Sequence, residues 1–241
     1  MSGAADSIVR ISRRLSRELV ASHPSSRVAF TYDPTDHAWA QHRAFCRMAC
    51  DRPKALFVGM NPGPFGMVQT GVPFGEVDAV RSFLGVDGPV RPPARQHPKR
   101  PIEGFACGRS EVSGRRFWGL MRDVFSTRAG FFRSAFVWNW CPLAFLSASG
   151  ANVTPDKLPA SVRRPIEAAC DRALAEVVAA LQPAMVIGVG GFARERALAA
   201  LPAGPPVHMV LHPSPASPAA NRGWERQARA QLLACGFLDQ T

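Results

Sequence analysis

The chain has 241 residues, with 29 Lys and Arg against 18 Asp and Glu, which leaves a formal net charge of +11. At roughly 100 to 200 residues per domain, that length builds its own apolar core without disulfide or metal staples. Apolar residues make up 46% and charged residues 20%, which excludes a disordered chain, and no apolar run approaches the ~18 to 20 residues of a bilayer helix.

Taken in chain order, Ile8, Ile11, Leu15 and Leu19 recur at helical spacing and predict an amphipathic helix docked on the rest of the protein. Its arginines give it a faint likeness to an organelle transit peptide, but Asp6 and Glu18 oppose that reading. Cys46 and Cys50, at i, i+4, could share a helix face; without a third or fourth ligand nearby they read as buried helix residues, and no metal is expected. Four short apolar runs at 55–58, 135–137, 185–189 and 207–211 predict buried strands, each followed by Gly, Pro or Asn. Segments of helical period at 77–84, 117–125, 162–181, 192–201 and 224–235 lie between or after them.

This alternation predicts an α/β fold, a three-layer α/β/α sandwich with a central, mostly parallel four-stranded sheet. A single domain over 1–241 is expected, with 1–50 as a helical part packed on it. The Pro-rich basic stretch 87–101 reads as an inserted surface loop. Six cysteines without a paired framework or a signal-peptide stretch point to a reducing, intracellular compartment.

Ligands of open α/β sheets bind outside the carboxyl ends of the strands, so the residues after each run matter most. On that topology Asn61, Asn139 and His212 converge at one rim. The segment 59–66 is dense in Gly and Pro but has neither the dinucleotide nor the Walker spacing, and GVGGF at 188–192 reads as a tight strand-to-helix turn. Two amides and an imidazole, without paired carboxylates, suit a reaction whose leaving group departs as a stabilised anion. The charge adds a second hint. Lys54, Lys99 and Lys157 are the only lysines, so the excess is almost entirely arginine. A GC-rich coding sequence explains the preference for Arg over Lys, but the surplus over acid points to a polyanion, most simply nucleic acid.

GMNPGPFGMVQTGVPFGEV at 59–77 and HPSPASPAANRGWE at 212–225 together resemble the single-strand-selective monofunctional branch of the uracil-DNA glycosylase superfamily. HPKRPIEGFAC at 97–107, SEVSGRRFW at 110–118 and NWCPLAFLSASGANVTPDKLP at 139–159 support the likeness, which runs from about Lys54 to Phe237. The resemblance implies that Asn61 positions the attacking water and that His212 donates to uracil O2 as the base leaves. Asn139 would pair with the Watson–Crick edge of uracil, held against flipping by neighbours the sequence does not reveal. Phe74 would stack on the extruded base, with the Met60 and Gly63 backbone lining the pocket.

It further implies DNA-facing loops. One holds Ser149, Gly150 and Asn152; the other holds Pro213, Ser214, Pro215 and Ala216 and leads to Arg222. Relatives often carry an arginine wedge where this chain has Ala216, so weaker duplex opening, or reliance on Arg222, is expected. Lys54 precedes a predicted buried strand and is poorly placed for a Schiff base, so no lyase step is expected.

The implied activity is hydrolytic excision of uracil, and of 5-hydroxymethyluracil and related oxidised pyrimidines, from single- and double-stranded DNA. No cofactor is implied. The partner is DNA containing uracil or oxidised uracil derivatives, acted on by a monomer off the membrane, in the cytoplasm of a bacterium or the nucleus of a eukaryote. Two rivals remain: a superfamily glycosylase with another base preference, for deaminated purines or mismatched bases, and a non-catalytic DNA-binding module.

Overall fold

The computed structural model describes residues 3–20 and 28–239; residues 1–2, 21–27 and 240–241 of the expected domain lie outside the described residues. In chain order the strands are β1 (Phe30–Tyr32), β2 (Ala55–Gly59), β3 (Ala135–Asn139), β4 (Ala144–Leu146), β5 (Asn152–Val153), β6 (Met185–Val189) and β7 (Val207–Val210). The α-helices are α1 (Gly3–Val20), α2 (Pro34–His37), α3 (Trp39–Cys46), α4 (Met67–Thr70), α5 (Val77–Ala79), α6 (Val112–Phe125), α7 (Arg128–Ser134), α8 (Ala160–Leu181), α9 (Gly191–Ala200) and α10 (Trp224–Ala234).

The predicted four-stranded sheet is present, in the order β3-β2-β6-β7 and parallel throughout. Every residue of β2 and β3 is buried, as continuous apolar runs covered on both faces require. Two neighbouring positions show the covering layers. Phe57 packs edge-on against Phe117 of α6 at 5.6 Å and Phe237 at 5.1 Å. Gly188, paired with the next residue Val58, lies so close to α9 that a Cβ there would come within 2.4 Å of the Arg194 nitrogen. Successive strand residues face opposite ways, so α6 and the C-terminal segment cover one face and α9 the other.

Helix α1 docks along α8, burying Ile8, Ile11, Leu15 and Leu19. Its polar face forms ion pairs: Arg14 with Glu176, Glu18 with Arg172, and Arg13 with Asp36 at 3.0 Å. The expectation for the two cysteines needs correction. Helix α3 ends at Cys46, which is buried, whereas Cys50 lies beyond it, partly exposed, so the two share no helix face.

Between residues 77 and 84 the expected helix forms as α5 and then widens into a π-helical turn, Val80–Leu84, closed by Gly85 at φ 65°. The loop 87–101 is less free than its composition suggests. His97, 3% exposed, faces the Ala148 carbonyl through Nε2 at 3.0 Å, and its backbone N–H donates to the Tyr32 hydroxyl at 2.7 Å. Sequence periodicity does not reveal a second, antiparallel sheet, β1-β4-β5, which pairs Phe30 with Leu146 and Leu146 with Asn152. Its strands have only two or three residues, too few to establish an alternation.

Candidate active site

Strand order brings the carboxyl ends of β2, β3, β6 and β7 to one rim. The chain crosses there from β3, on one side of β2, to β6 on the other, which opens a crevice at the sheet's switch point. A cavity of about 390 Å³ occupies that crevice, a size that suits one small ring. Met60, Asn61, Gly63, Phe74, Asn139 and His212 all line it. Asn152 and Ser214 also reach it; Ser149 is exposed on the hairpin between β4 and β5, and Gly150 is buried under His97 at φ 82°.

Asn139 is the last residue of β3 and only 6% exposed. Its Nδ2 donates to Met67 Sδ at 3.2 Å, while its Oδ1 stands over Gly59, where a Cβ would come within 2.3 Å of it. This contact supplies the missing lock. A flipped amide would set oxygen against sulfur, two acceptors face to face. Asn61, in the turn after β2, donates from Nδ2 to the Leu143 carbonyl at 3.4 Å, which turns its Oδ1 the other way.

His212 sits two residues past β7. The backbone N–H of Ser214 donates to its Nδ1 at 3.1 Å, so in the neutral ring the proton lies on Nε2. Burial lowers its pKa to about 4, and the ring is therefore uncharged at neutral pH. Gly190, at φ 91°, makes the tight turn from β6 into α9 and approaches so closely that a Cβ there would stand 3.0 Å from that of His212. The GVGGF segment thus packs against the imidazole.

Phe74 adopts φ 53°, a left-handed conformation that costs a residue of its size about 1 to 2 kcal/mol. Its surroundings enforce this geometry. Its carbonyl accepts from the Glu76 N–H at 2.8 Å, Trp118 Nε1 donates to the Pro73 carbonyl at 3.1 Å, and Gly114 of α6 leaves no room for a Cβ beside the Phe74 carbonyl. One ring face stacks on Phe117 at 4.7 Å and 19°. The strain therefore holds a flat apolar surface at the cavity.

The loop after His212 is braced by Arg116 of α6, a residue the sequence does not single out. Its guanidinium donates to the Pro213 carbonyl at 2.9 Å and to Asn221 Oδ1 at 3.2 Å, and Asn221 donates to the Pro215 carbonyl at 2.7 Å. Ala216 and Arg222 are exposed on this braced segment. Pro64, Glu111, Ser113 and Thr154 also line the cavity, unforeseen from sequence. Glu111 corrects the expectation of a site free of carboxyl groups: burial, and then the nearby Glu76 charge, raise its pKa to about 7. The signal for it was the glycine pair Gly63 and Gly66, whose missing side chains make the room its carboxyl fills.

Residues 47–234 match the family model described as the uracil DNA glycosylase superfamily, the class this sheet and cavity define. A single-strand selective monofunctional uracil DNA glycosylase of Bos taurus is 48% identical over 238 residues, which cover 97% of this chain and 88% of that protein. Its counterpart of the same name in Mus musculus is 50% identical over 229 residues, covering 93% and 82%. The crystal structure of wild-type Pedobacter heparinus SMUG2 superposes with a TM-score of 0.70 over 98% of each chain; at 15% identity the likeness is one of fold. The chain belongs to the single-strand selective monofunctional uracil-DNA glycosylases within that superfamily.

Proposed function

We propose that this protein, acting as a monomer, hydrolyses the N-glycosidic bond of uracil in DNA, preferring single strands, and that it also accepts oxidised C5 derivatives of uracil and uracil in duplexes. The observation that carries the reading is the convergence of Asn61, Asn139, Phe74 and a tautomer-fixed His212 on one cavity within one chain. The base leaves its stack at a cost of a few kcal/mol and enters the cavity against Phe74. Asn139 Oδ1 accepts from N3–H and Nδ2 donates to O4, the reverse of what cytosine offers. Asn61 Oδ1 orients a water toward C1′ while the bond to N1 lengthens. His212 Nε2–H donates to O2 as negative charge gathers on the departing base.

Water is the nucleophile in this scheme. Lys54 is held by Asp239 at 3.1 Å, and neither it nor Lys99 or Lys157 reaches the cavity, which supports hydrolysis without a Schiff base. Cleavage of abasic sites formed in uracil-containing single and double strands tests the proposal, with the Asn61→Ala, His212→Ala double variant as control. Release that persists undiminished in the double variant would sink the assigned site. A wild-type protein that binds DNA but releases no base would be a binding module instead.

Ala216 leads to a separate expectation. Its methyl group fills little of an evacuated base stack, and nothing else on the braced loop replaces a long side chain there. Ala216→Arg is therefore expected to raise release from duplex uracil by about tenfold and from single strands by no more than about twofold. Parallel single-turnover measurements on both substrates would show it.

A further inference from the structure

Glu111 stands at the N-cap of α6, yet its side chain caps nothing. Instead the carboxyl turns into the cavity wall, where a Cβ on Gly63 would meet its Oε2 at 2.3 Å and one on Gly66 at 2.2 Å. That oxygen is buried and has no hydrogen-bond partner. The neighbouring Glu76 is satisfied, accepting from Ala79 N–H at 2.9 Å and Ser110 Oγ at 2.7 Å. A buried, unpaired carboxyl oxygen costs about 1 to 3 kcal/mol, so its presence in a cavity wall points to a partner that arrives with the ligand.

The position of that partner follows from the proposed orientation of the base. Met67, next to Gly66, contacts the amide nitrogen of Asn139, the atom assigned to O4. C5 is bonded to the carbon that carries O4, on the side away from His212 and O2. The Gly63–Met67 wall, with the Glu111 carboxyl set into it, therefore faces C5. We propose that Glu111 is a specificity-determining residue whose carboxyl hydrogen-bonds a hydroxyl group on the C5 substituent of the base, or a water in its place when the base is uracil. This rests on the function proposed above. A methyl group at C5 can neither donate to nor accept from that carboxyl and would leave it unpaired.

The test compares kcat/KM for 5-hydroxymethyluracil and for uracil in the same single-stranded context, for the wild type, Glu111→Leu and Glu111→Gln, with thermal unfolding to establish that each variant is folded. The ratio of the two values is expected to fall by about tenfold in Glu111→Leu, the worth of one hydrogen bond, and to recover in Glu111→Gln, whose amide can still donate and accept. A ratio that stays constant while both activities fall would assign Glu111 a structural role and overturn the proposal. So would a wild type that releases uracil but not 5-hydroxymethyluracil, or a folded Gln variant that fails to restore the ratio. Absence of uracil release from the wild type would instead overturn the glycosylase reading itself.

Discussion

His212→Ala is expected to lower kcat/KM for uracil in single-stranded DNA by about 100- to 1,000-fold, the usual loss when one preorganised donor to a developing anion is removed. The donor belongs to an uncharged ring. Ser214 N–H occupies Nδ1, and the pKa of about 4 keeps the imidazole neutral across the physiological range. The acid limb of the wild-type pH–rate profile should therefore fall near pH 4 and not near 6.5, the ordinary value for histidine. Titration through 6.5 would mean that the ring is solvated and that the tautomer argument fails. The same group links pH to stability. Its pKa is lower in the folded than in the unfolded chain, so its contribution is fully present above about 6.5 and is lost as pH falls through 4. The difference of about 2.5 units corresponds to about 3 kcal/mol at most. His37 and His42 are likewise buried with lowered pKa values and add in the same direction. Acid unfolding of His212→Ala should begin at lower pH than that of the wild type, as measured by circular dichroism.

What was legible in the sequence and what was not divide along a physical line. The four parallel strands are buried on both faces, so each appears as an apolar run that needs no partner to be recognised. Asn61, Asn139 and His212 lie at or just past those runs, and strand order alone places them together. Features that depend on a contact across the fold left no local trace. Met67 restrains Asn139 from 72 positions away, and Arg116 braces a loop 97 positions later. The Phe74 backbone is bent by Pro73, Glu76 and Gly114 acting together, and aromatic character alone says nothing of its positive φ. Glu111 looks like one more acidic residue before a helix, because the cavity it enters exists only after the turn at Gly63 and Gly66 folds over α6. The loop 87–101 reads as mobile from its prolines, yet one residue in it, His97, ties it to the hairpin carrying Asn152.

Gly59→Ala is expected to cost at least about 100-fold in kcat/KM while leaving a folded protein, although Gly59 touches no substrate. It ends β2 directly opposite Asn139 in the parallel register. A Cβ there would lie 2.3 Å from Asn139 Oδ1 and 2.9 Å from Phe74 Cε2, distances at which something must move. Neither neighbour has an easy retreat. Asn139 is tethered to Met67 by its nitrogen, and Phe74 is backed by Phe117 on a strained φ. The added methyl group therefore moves the amide that reads the base, the ring that stacks on it, or both, and a displacement of about 1 Å in a positioning group can cost about 100-fold. The stability loss should be that of an overpacked site, about 1 to 3 kcal/mol. Gly119→Ala is the matching control. Gly119 lies within α6, and a Cβ added there would meet nothing within 4 Å, so alanine should leave activity intact and add about 0.5 to 1 kcal/mol of stability. Single-turnover release and thermal midpoints of the two variants, measured together, separate displacement of the reading groups from general loss of fold. Retention of activity within about threefold in Gly59→Ala would show that the Asn139 amide works from a position other than the one over Gly59.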